Sequence, residues 1–193
     1  MLNIFKNFIS GLLLSRIYNF LSSDINTNYV LMKKSSKFPK IKYGSDLDIL
    51  TTNLESFIKE VKEYLETIRW INLKIINKSH SHIHINFYFI KFFIVKLDLI
   101  DTNYNFIHIK EPNIFLKNIF TNPENYLFRY FFKKYNILIP NIYDEIVIRM
   151  NELETHPHKH HHEEFINLQE NETLLHINNS YARYLKQPIR KYI

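Results

Sequence analysis

The chain has 193 residues, of which 46% are hydrophobic and 16% aromatic, so it can bury a real core and wholesale disorder is excluded. It contains no cysteine, which excludes disulfides, thiolate zinc sites and cysteine nucleophiles. A formal net charge of +6 favours anionic partners such as nucleotides, phosphates or nucleic acid, although a lysine-rich solvated surface gives the same balance. No apolar run reaches the roughly 18 residues of a spanning helix. Arg16 interrupts the short apolar run 8–14, so a signal peptide is not indicated and we expect a cytoplasmic protein.

The first third of the chain predicts a helix, two strands and a second helix. Apolar residues at helical spacing over 2–22 predict an amphipathic helix that packs on the rest of the protein. Residues 28–33 read as a short strand, and a basic connection containing Pro39 leads to a longer strand over 41–51. Asn53 is placed to cap the helix that follows, whose apolar face extends to Ile68.

The middle of the chain alternates apolar and polar residues with a period of two, and the end of the chain has helical periodicity. Strands are predicted at Trp70–Ile76, His82–Ile90 and Phe92–Ile100, with a shorter one at Phe106–Ile109. Helices are predicted at Ile114–Phe120, Pro123–Tyr135, Tyr143–Leu153 and Glu163–His176, followed by a short tail helix. This order predicts an α+β fold with a mixed or antiparallel sheet flanked by helices. We expect a core at 1–110 and a helical C-terminal region at 111–193 packed on it.

Two carboxylates lie two residues apart in the predicted strand 41–51, directly after Gly44-Ser45. Because side chains alternate faces along a strand, Asp46 and Asp48 project to the same side. Two anions held that close repel each other, and the arrangement makes best sense with a cation between them. Mg²⁺ is a hard cation that prefers carboxylate oxygens, so this pair predicts a magnesium site.

A third carboxylate, Asp98, occupies an apolar strand where an unpaired carboxylate is costly to bury. Together with Asp46 and Asp48 it forms the set of three carboxylates that a two-metal phosphoryl or nucleotidyl transfer site requires. Lys96 shares the face of Asp98. It is a candidate phosphate contact, or it neutralises a neighbouring carboxylate.

The string Gly44-Ser45-Asp46-Leu47-Asp48-Ile49-Leu50, with Asp98 in a later strand, resembles the DNA polymerase beta-like nucleotidyltransferase superfamily, in particular its small stand-alone bacterial-type members. The similarity covers about residues 25 to 105. It implies a nucleotidyltransferase-like sheet and transfer of an NMP from an NTP such as ATP to an acceptor hydroxyl or phosphate, with release of pyrophosphate. It also implies Mg²⁺ or Mn²⁺ held by Asp46, Asp48 and Asp98, with Asp98 as the catalytic residue.

The resemblance implies that the phosphates are cradled about ten residues before the first Asp, where that superfamily has a Gly-Ser or Gly-Gly pair. Here the corresponding place is Lys34-Ser35-Ser36, without glycine. The candidate nucleotide-binding residues are Ser35, Ser36, Gly44, Ser45 and Lys96. A small molecule is the expected acceptor, with nucleic acid or protein as other options. The missing glycine motivates an alternative, a catalytically impaired protein of the same fold that binds a nucleotide or a partner.

Four further groups of residues have more than one interpretation each. The run His156–His162 is either a metal or phosphate site or a solvated link between helices. His80, His82 and His84 either line the open side of the sheet near the carboxylates or face solvent, and the solvent-facing interpretation is preferred. A third group consists of basic residues interleaved with aromatic ones, Arg129, Lys133 and Lys134. They suggest nucleic-acid contacts or, equally, a solvent-exposed basic edge beside aromatic residues of the core. Arg183, Lys186, Arg190 and Lys191 are terminal cations that either reach phosphate or have no role.

Overall fold

The protein is an α+β structure built on a mixed five-stranded sheet flanked by helices. The computed structural model describes residues 2–23, 28–34, 38–41, 43–65, 67–181 and 183–186. The elements, in chain order, are α1 (Leu2–Leu21), β1 (Tyr29–Leu31), β2 (Asp46–Thr51), α2 (Leu54–Leu65), β3 (Ile71–Ser79), β4 (His82–Phe89), β5 (Phe92–Asp101), α3 (Pro112–Thr121), β6 (Glu124–Tyr130), β7 (Lys133–Ile139), α4 (Ile142–Thr155), α5 (His160–Asn167) and α6 (Asn171–His176), followed by a π-helical turn at Ile177–Tyr181.

The main sheet has the strand order β1-β2-β5-β4-β3. β2 and β5 are parallel, and the other neighbouring pairs are antiparallel. A parallel pair needs a long crossover, which α2, β3 and β4 provide here. The strands that carry the three aspartates therefore lie side by side at the centre of the sheet.

Each face of the sheet packs on its own hydrophobic cluster. Leu47 and Ile49 of β2 belong to the cluster that contains α1, α2 and the β6–β7 hairpin. Leu50, on the same face of β2 as the aspartates, belongs to the cluster formed with α3 to α6. Both clusters contain residues from each side of position 110.

The predicted helices at the start of the chain are confirmed. In α2 the buried residues Leu54, Phe57, Val61 and Leu65 recur at helical spacing, and the Asn53 side chain accepts a hydrogen bond from the Ser56 amide at 3.0 Å. In α1, a Cβ at Gly11 would lie 2.5 Å from Cε2 of Phe131, so the glycine permits the hairpin turn to approach the helix. Among the helices of the described ranges, none has the length and apolar character that crossing a membrane requires.

The helix predicted at Pro123–Tyr135 is wrong, because this segment begins a β-hairpin, β6–β7. Alternate residues of β7, Tyr135, Ile137 and Ile139, are buried against α1 and the sheet, whereas Lys133 and Lys134 are exposed. The turn contains Phe131 and Phe132, both with positive φ. The aromatic residues of this segment fit a helical pattern locally, but the side chains that are buried in β7 alternate with a period of two, as in a strand.

Three smaller predictions also differ from the structure. Phe106–Ile109 forms no strand, and only Ile109 makes an isolated bridge, to Leu185. The helix predicted at Glu163–His176 is interrupted between Asn167 and Asn171, giving α5 and α6. β2 begins at Asp46 rather than at residue 41. A short tail helix is predicted after His176; residues 177–181 there form the π-helical turn, and residues 182 and 187–193 lie outside the described residues.

Candidate metal centre and pocket

The parallel pairing of β2 with β5 brings the three predicted aspartates together. Asp48 is directly opposite Asp98, and Asp46 is opposite Lys96. One carboxylate oxygen from each aspartate lies within 4.8 Å of one from each of the others. The two sequence segments are 50 residues apart, so this convergence depends on the crossover that makes the strands neighbours.

Two lysines neutralise the carboxylates. The Lys96 ammonium lies 3.1 Å from Asp46 and 2.9 Å from Asp98, and it bridges them. The Lys33 ammonium lies 3.5 Å from Asp48 and 3.4 Å from Glu152 of α4. Lys96 therefore neutralises its neighbours in this structure, as one of the two interpretations of its position predicted.

Two histidines of β4 also contact Asp98. Nε2 of His82 lies 2.5 Å from Asp98 Oδ1, and Nε2 of His84 lies 3.4 Å from Asp98 Oδ2. His84 is opposite Asp98 in the antiparallel β4–β5 pairing. The preferred solvent-facing interpretation is wrong for His82 and His84, whereas His80 lies exposed in the turn before β4.

The two facing aspartates have opposite pKa shifts. Burial raises the pKa of Asp48 to about 6, because Lys33 only partly offsets the loss of solvent and the repulsion from Asp46 and Asp98. Burial alone would also raise the pKa of Asp98, but hydrogen bonds from His82 and Lys96 outweigh it and hold that pKa well below its usual range. Asp98 is therefore ionised at any neutral pH and is a weak proton acceptor.

A pocket of about 420 Å³ extends from the aspartates to the wall formed by α4 and α5. Its lining mixes both charges: Asp46, Asp48, Asp98 and Glu152 on the acidic side, and Lys33, Lys34, Lys96, Arg149 and Lys159 on the basic side. Tyr104 and Phe106 contribute an apolar edge. The size and polarity suit a small, strongly charged ligand.

The α4 wall is held by a buried ion pair. Arg149 Nη2 lies 2.6 Å from Glu145 Oε1 and donates to the Lys34 carbonyl at 2.5 Å. The Arg149 side chain thus links the segment after β1 to α4, together with the Lys33–Glu152 ion pair. Nδ1 of the buried His162 lies 3.4 Å from Arg149 Nη1. An arginine only donates, so this Nδ1 accepts and His162 Nε2 carries the proton. Burial and the neighbouring Lys33 lower the pKa of His162 to about 2, which keeps it neutral.

Sequence reasoning missed Glu152 and Arg149. The signal was present, because Glu145, Arg149 and Glu152 are four and three residues apart and so lie on one face of the helix. Such a polar face of a helix lies either toward solvent or toward a pocket, and the sequence pattern is the same in both cases.

The predicted nucleotide-binding residues are only partly described. Ser35 and Ser36, together with Lys37, lie outside the described residues. Gly44 has φ +83°, donates its amide to the Ile94 carbonyl at 2.8 Å and does not line the pocket. The Ser45 carbonyl accepts from the Lys96 amide at 3.2 Å, so both residues tie the start of β2 to β5. Their role in nucleotide binding stays a prediction.

The remaining candidates are scattered. His156, His161 and His162 line the pocket, while His158 and His160 are exposed. In the part of the chain that is described, two groups of side chains could hold a metal, Asp46–Asp48–Asp98 and His82–His84–Asp98, and the histidine run forms neither. Arg129, Lys133 and Lys134 lie on the hairpin rather than on a helix. Arg183 stacks on Tyr184, Lys186 is exposed, and Arg190 and Lys191 lie outside the described residues.

None of the family models, curated proteins or solved structures compared with this chain matches it.

Proposed function

We propose that the protein is a metal-dependent nucleotidyltransferase, which moves an NMP from an NTP to an acceptor hydroxyl or phosphate. The observation that carries the proposal is the convergence of Asp46, Asp48 and Asp98 on two adjacent parallel strands. Three converging carboxylates fit what the resemblance of the Gly-Ser-Asp-x-Asp string to the DNA polymerase beta-like superfamily implies.

The donor set suits Mg²⁺ or Mn²⁺. All three side chains offer hard carboxylate oxygens, and they lie close enough together to share one ion or to hold two. Bound there, the metal would neutralise the phosphates and activate the acceptor hydroxyl. Because its pKa is low, we propose Asp98 as a metal ligand that orients the nucleophile rather than as the base that takes its proton.

The lysines of the pocket suit the phosphates. Lys33 and Lys96 pair with the carboxylates in this structure, and Lys34 and Lys159 also line the pocket. A cation bound to the carboxylates leaves these ammonium groups free to contact phosphate oxygens. In the transfer, an acceptor hydroxyl gives its proton to solvent and its oxygen forms a bond to the α-phosphorus, whereas an acceptor phosphate attacks through an oxygen that is already deprotonated. The bond from that phosphorus to the bridging oxygen breaks, and pyrophosphate leaves.

A second candidate function is nucleotide or partner binding without turnover. The observation that favours it is the Lys96 ammonium between Asp46 and Asp98, where a metal would have to displace it. The Lys34-Ser35-Ser36 segment, which lacks the glycine of the superfamily, favours it too. An assay of nucleotidyl transfer distinguishes this function from catalysis.

The test is transfer from α-³²P-labelled NTPs. The purified full-length chain is incubated with each NTP, Mg²⁺ or Mn²⁺, and separate pools of small metabolites, RNA and protein. Released pyrophosphate and labelled acceptor are then measured. We expect label in the small-molecule pool, its loss in Asp48→Asn, and its retention in Asp101→Asn. Asp101 is a matched control at the end of β5; it does not line the pocket, and asparagine keeps the acceptor for the Asn103 amide, 2.7 Å away.

The two candidate functions give different results. If NTP binds to the wild-type protein and no pool yields pyrophosphate, the protein binds nucleotide without transferring it. If neither Mn²⁺ nor NTP binds, the nucleotidyltransferase proposal is refuted, and so is the nucleotide-binding alternative.

A further inference from the structure

Asp98 also belongs to a second group of potential ligands that differs in chemistry from the three aspartates. His82 and His84 direct Nε2 toward Asp98, and the three side chains are all half-buried. Imidazole ligands favour borderline transition metals over Mg²⁺, which prefers an all-oxygen set. Two imidazoles and one carboxylate form a ligand set suited to such an ion.

We infer that His82, His84 and Asp98 form a site for a divalent transition metal of the Zn²⁺ or Co²⁺ class. The inference rests on the positions of three side chains and does not depend on nucleotidyl transfer.

The distances between the ligand atoms support a single ion. Ligands about 2.0–2.1 Å from a tetrahedral metal lie about 3.3 Å from one another. His82 Nε2 and His84 Nε2 are 3.2 Å apart, and His84 Nε2 and Asp98 Oδ2 are 3.4 Å apart. His82 Nε2 makes its contact with the other carboxylate oxygen, Asp98 Oδ1, and the 2.5 Å between them is that of a direct hydrogen bond. When Asp98 offers a single oxygen, that oxygen and the two Nε2 atoms all lie within 4.8 Å of one another.

The fourth coordination position faces the pocket. His82 and Asp98 both line the pocket, so an ion held by the three residues would be open to water or a ligand oxygen on that side. Open fourth positions distinguish catalytic and ligand-binding metal sites from structural ones. The Tyr104 ring, whose centroid lies 5.3 Å from that of His82, makes a T-shaped contact with this imidazole.

Asp98 is common to both ligand groups. An ion at His82–His84–Asp98 and a hard cation at Asp46–Asp48–Asp98 would therefore share one carboxylate, as in two-metal sites bridged by a ligand. Lys96 donates to Asp98 Oδ2 at 2.9 Å and competes for the same oxygen. The site is therefore expected to bind its metal with moderate affinity.

The test uses metal alone, with no nucleotide. The full-length chain is treated with a chelator and titrated with Co²⁺, whose visible absorption is strong in four-coordinate sites and weak in six-coordinate ones; Zn²⁺ is then added as a competitor. All proteins carry His158→Asn and His160→Asn, which remove exposed histidines that bind metal nonspecifically. We expect one Co²⁺ per chain with a strong visible band that Zn²⁺ abolishes.

Single substitutions in this background locate the site. His82→Asn and His84→Asn should each weaken Co²⁺ binding at least tenfold. His80→Asn, at an exposed neighbour two residues before His82, should leave the band unchanged. A second measurement uses the His158→Asn/His160→Asn protein with His82 and His84 intact, so no folding defect of a site variant affects it. We expect Co²⁺ to broaden the NMR signals of the His82 and His84 rings. Unchanged Co²⁺ binding in both histidine variants, or ring signals that Co²⁺ leaves sharp, would overturn the inference.

Discussion

Replacing Arg149 with methionine tests whether the buried ion pair of α4 maintains the fold. Arg149 and Glu145 side chains are only 4% and 2% exposed, and their contacts measure 2.6 Å from Nη2 and 3.1 Å from Nε to the same oxygen. Without the guanidinium, the Glu145 carboxylate is left buried with the Lys34 amide at 3.3 Å as its remaining hydrogen-bond donor among the contacts described. Breaking a buried pair by removing one partner costs about 3–5 kcal/mol, so we expect Arg149→Met to lower the free energy of unfolding by that amount.

The double variant Glu145→Gln/Arg149→Met separates the lost contact from the unpaired charge. Glutamine fills the same volume without a charge, so the double variant should recover part of the stability that Arg149→Met loses. The matched control is Lys59→Met, which breaks an exposed pair four residues apart on α2 with a 3.9 Å contact. Exposed pairs contribute little, and this control should change stability by less than about 1 kcal/mol.

The assay is urea unfolding followed by circular dichroism at pH 7.5. The reasoning is refuted if the free energy of unfolding of Arg149→Met lies within about 1 kcal/mol of the wild-type value and is no lower than that of the double variant. The Glu145 charge would then be compensated without Arg149. The same result would mean that α4 does not need Arg149 to hold the Lys34 segment.

Three further predictions concern stability. Burial raises the pKa of Asp144 to about 6 from 3.8, so the folded state binds this proton more tightly than the unfolded state, and stability is lost as the pH rises through about 6. In urea unfolding between pH 4 and pH 8, the free energy of unfolding of Asp144→Asn should therefore rise relative to that of the wild type as the pH increases, by up to roughly 3 kcal/mol. A difference between the two proteins that does not change with pH would contradict this. Asn53→Ala removes the cap of α2 and should cost about 1 kcal/mol in the same assay, whereas Asn53→Asp should retain most of it. Phe115→Ala empties a fully buried position and should cost about 3–5 kcal/mol in thermal and urea unfolding, with the fully exposed Phe132→Ala as the unaffected control.

The parts of the fold that depend on local pattern could be predicted. The helices α1, α2 and α4 and the strands β3 to β5 follow from periodicity within single segments, and the Asn53 cap follows from its position before an apolar run. The β6–β7 hairpin could not, because its alternating aromatics are interleaved with residues that also fit a helical face. Its burial is decided by contact with α1, which is more than 100 residues away in the sequence.

The position of the histidines depends on a single irregularity. The β4–β5 turn pairs Phe89 with Phe92, and without interruption that register would set His84 opposite Leu97. A β-bulge between Phe87 and Tyr88 shifts the register by one residue, so that His84 instead faces Asp98. A shift of one residue moves every side chain to the other face of the strand. Periodicity within β4 alone puts His82 and His84 on one face of the strand, but whether that face carries Asp98 depends on the register with β5.

The carboxylate motif identifies only one side of the pocket. Asp46, Asp48 and Asp98 come from the sheet, and their placement follows once β2 and β5 are neighbours. The opposite wall comes from α4 and α5, where Glu152 pairs with Lys33 and Arg149 holds the Lys34 carbonyl. The lysines nearest the predicted phosphate cradle are therefore positioned by residues more than 100 positions later. A fragment ending at residue 110 would keep all three aspartates and lose the groups that orient these lysines, so any activity of the pocket belongs to both halves of the chain.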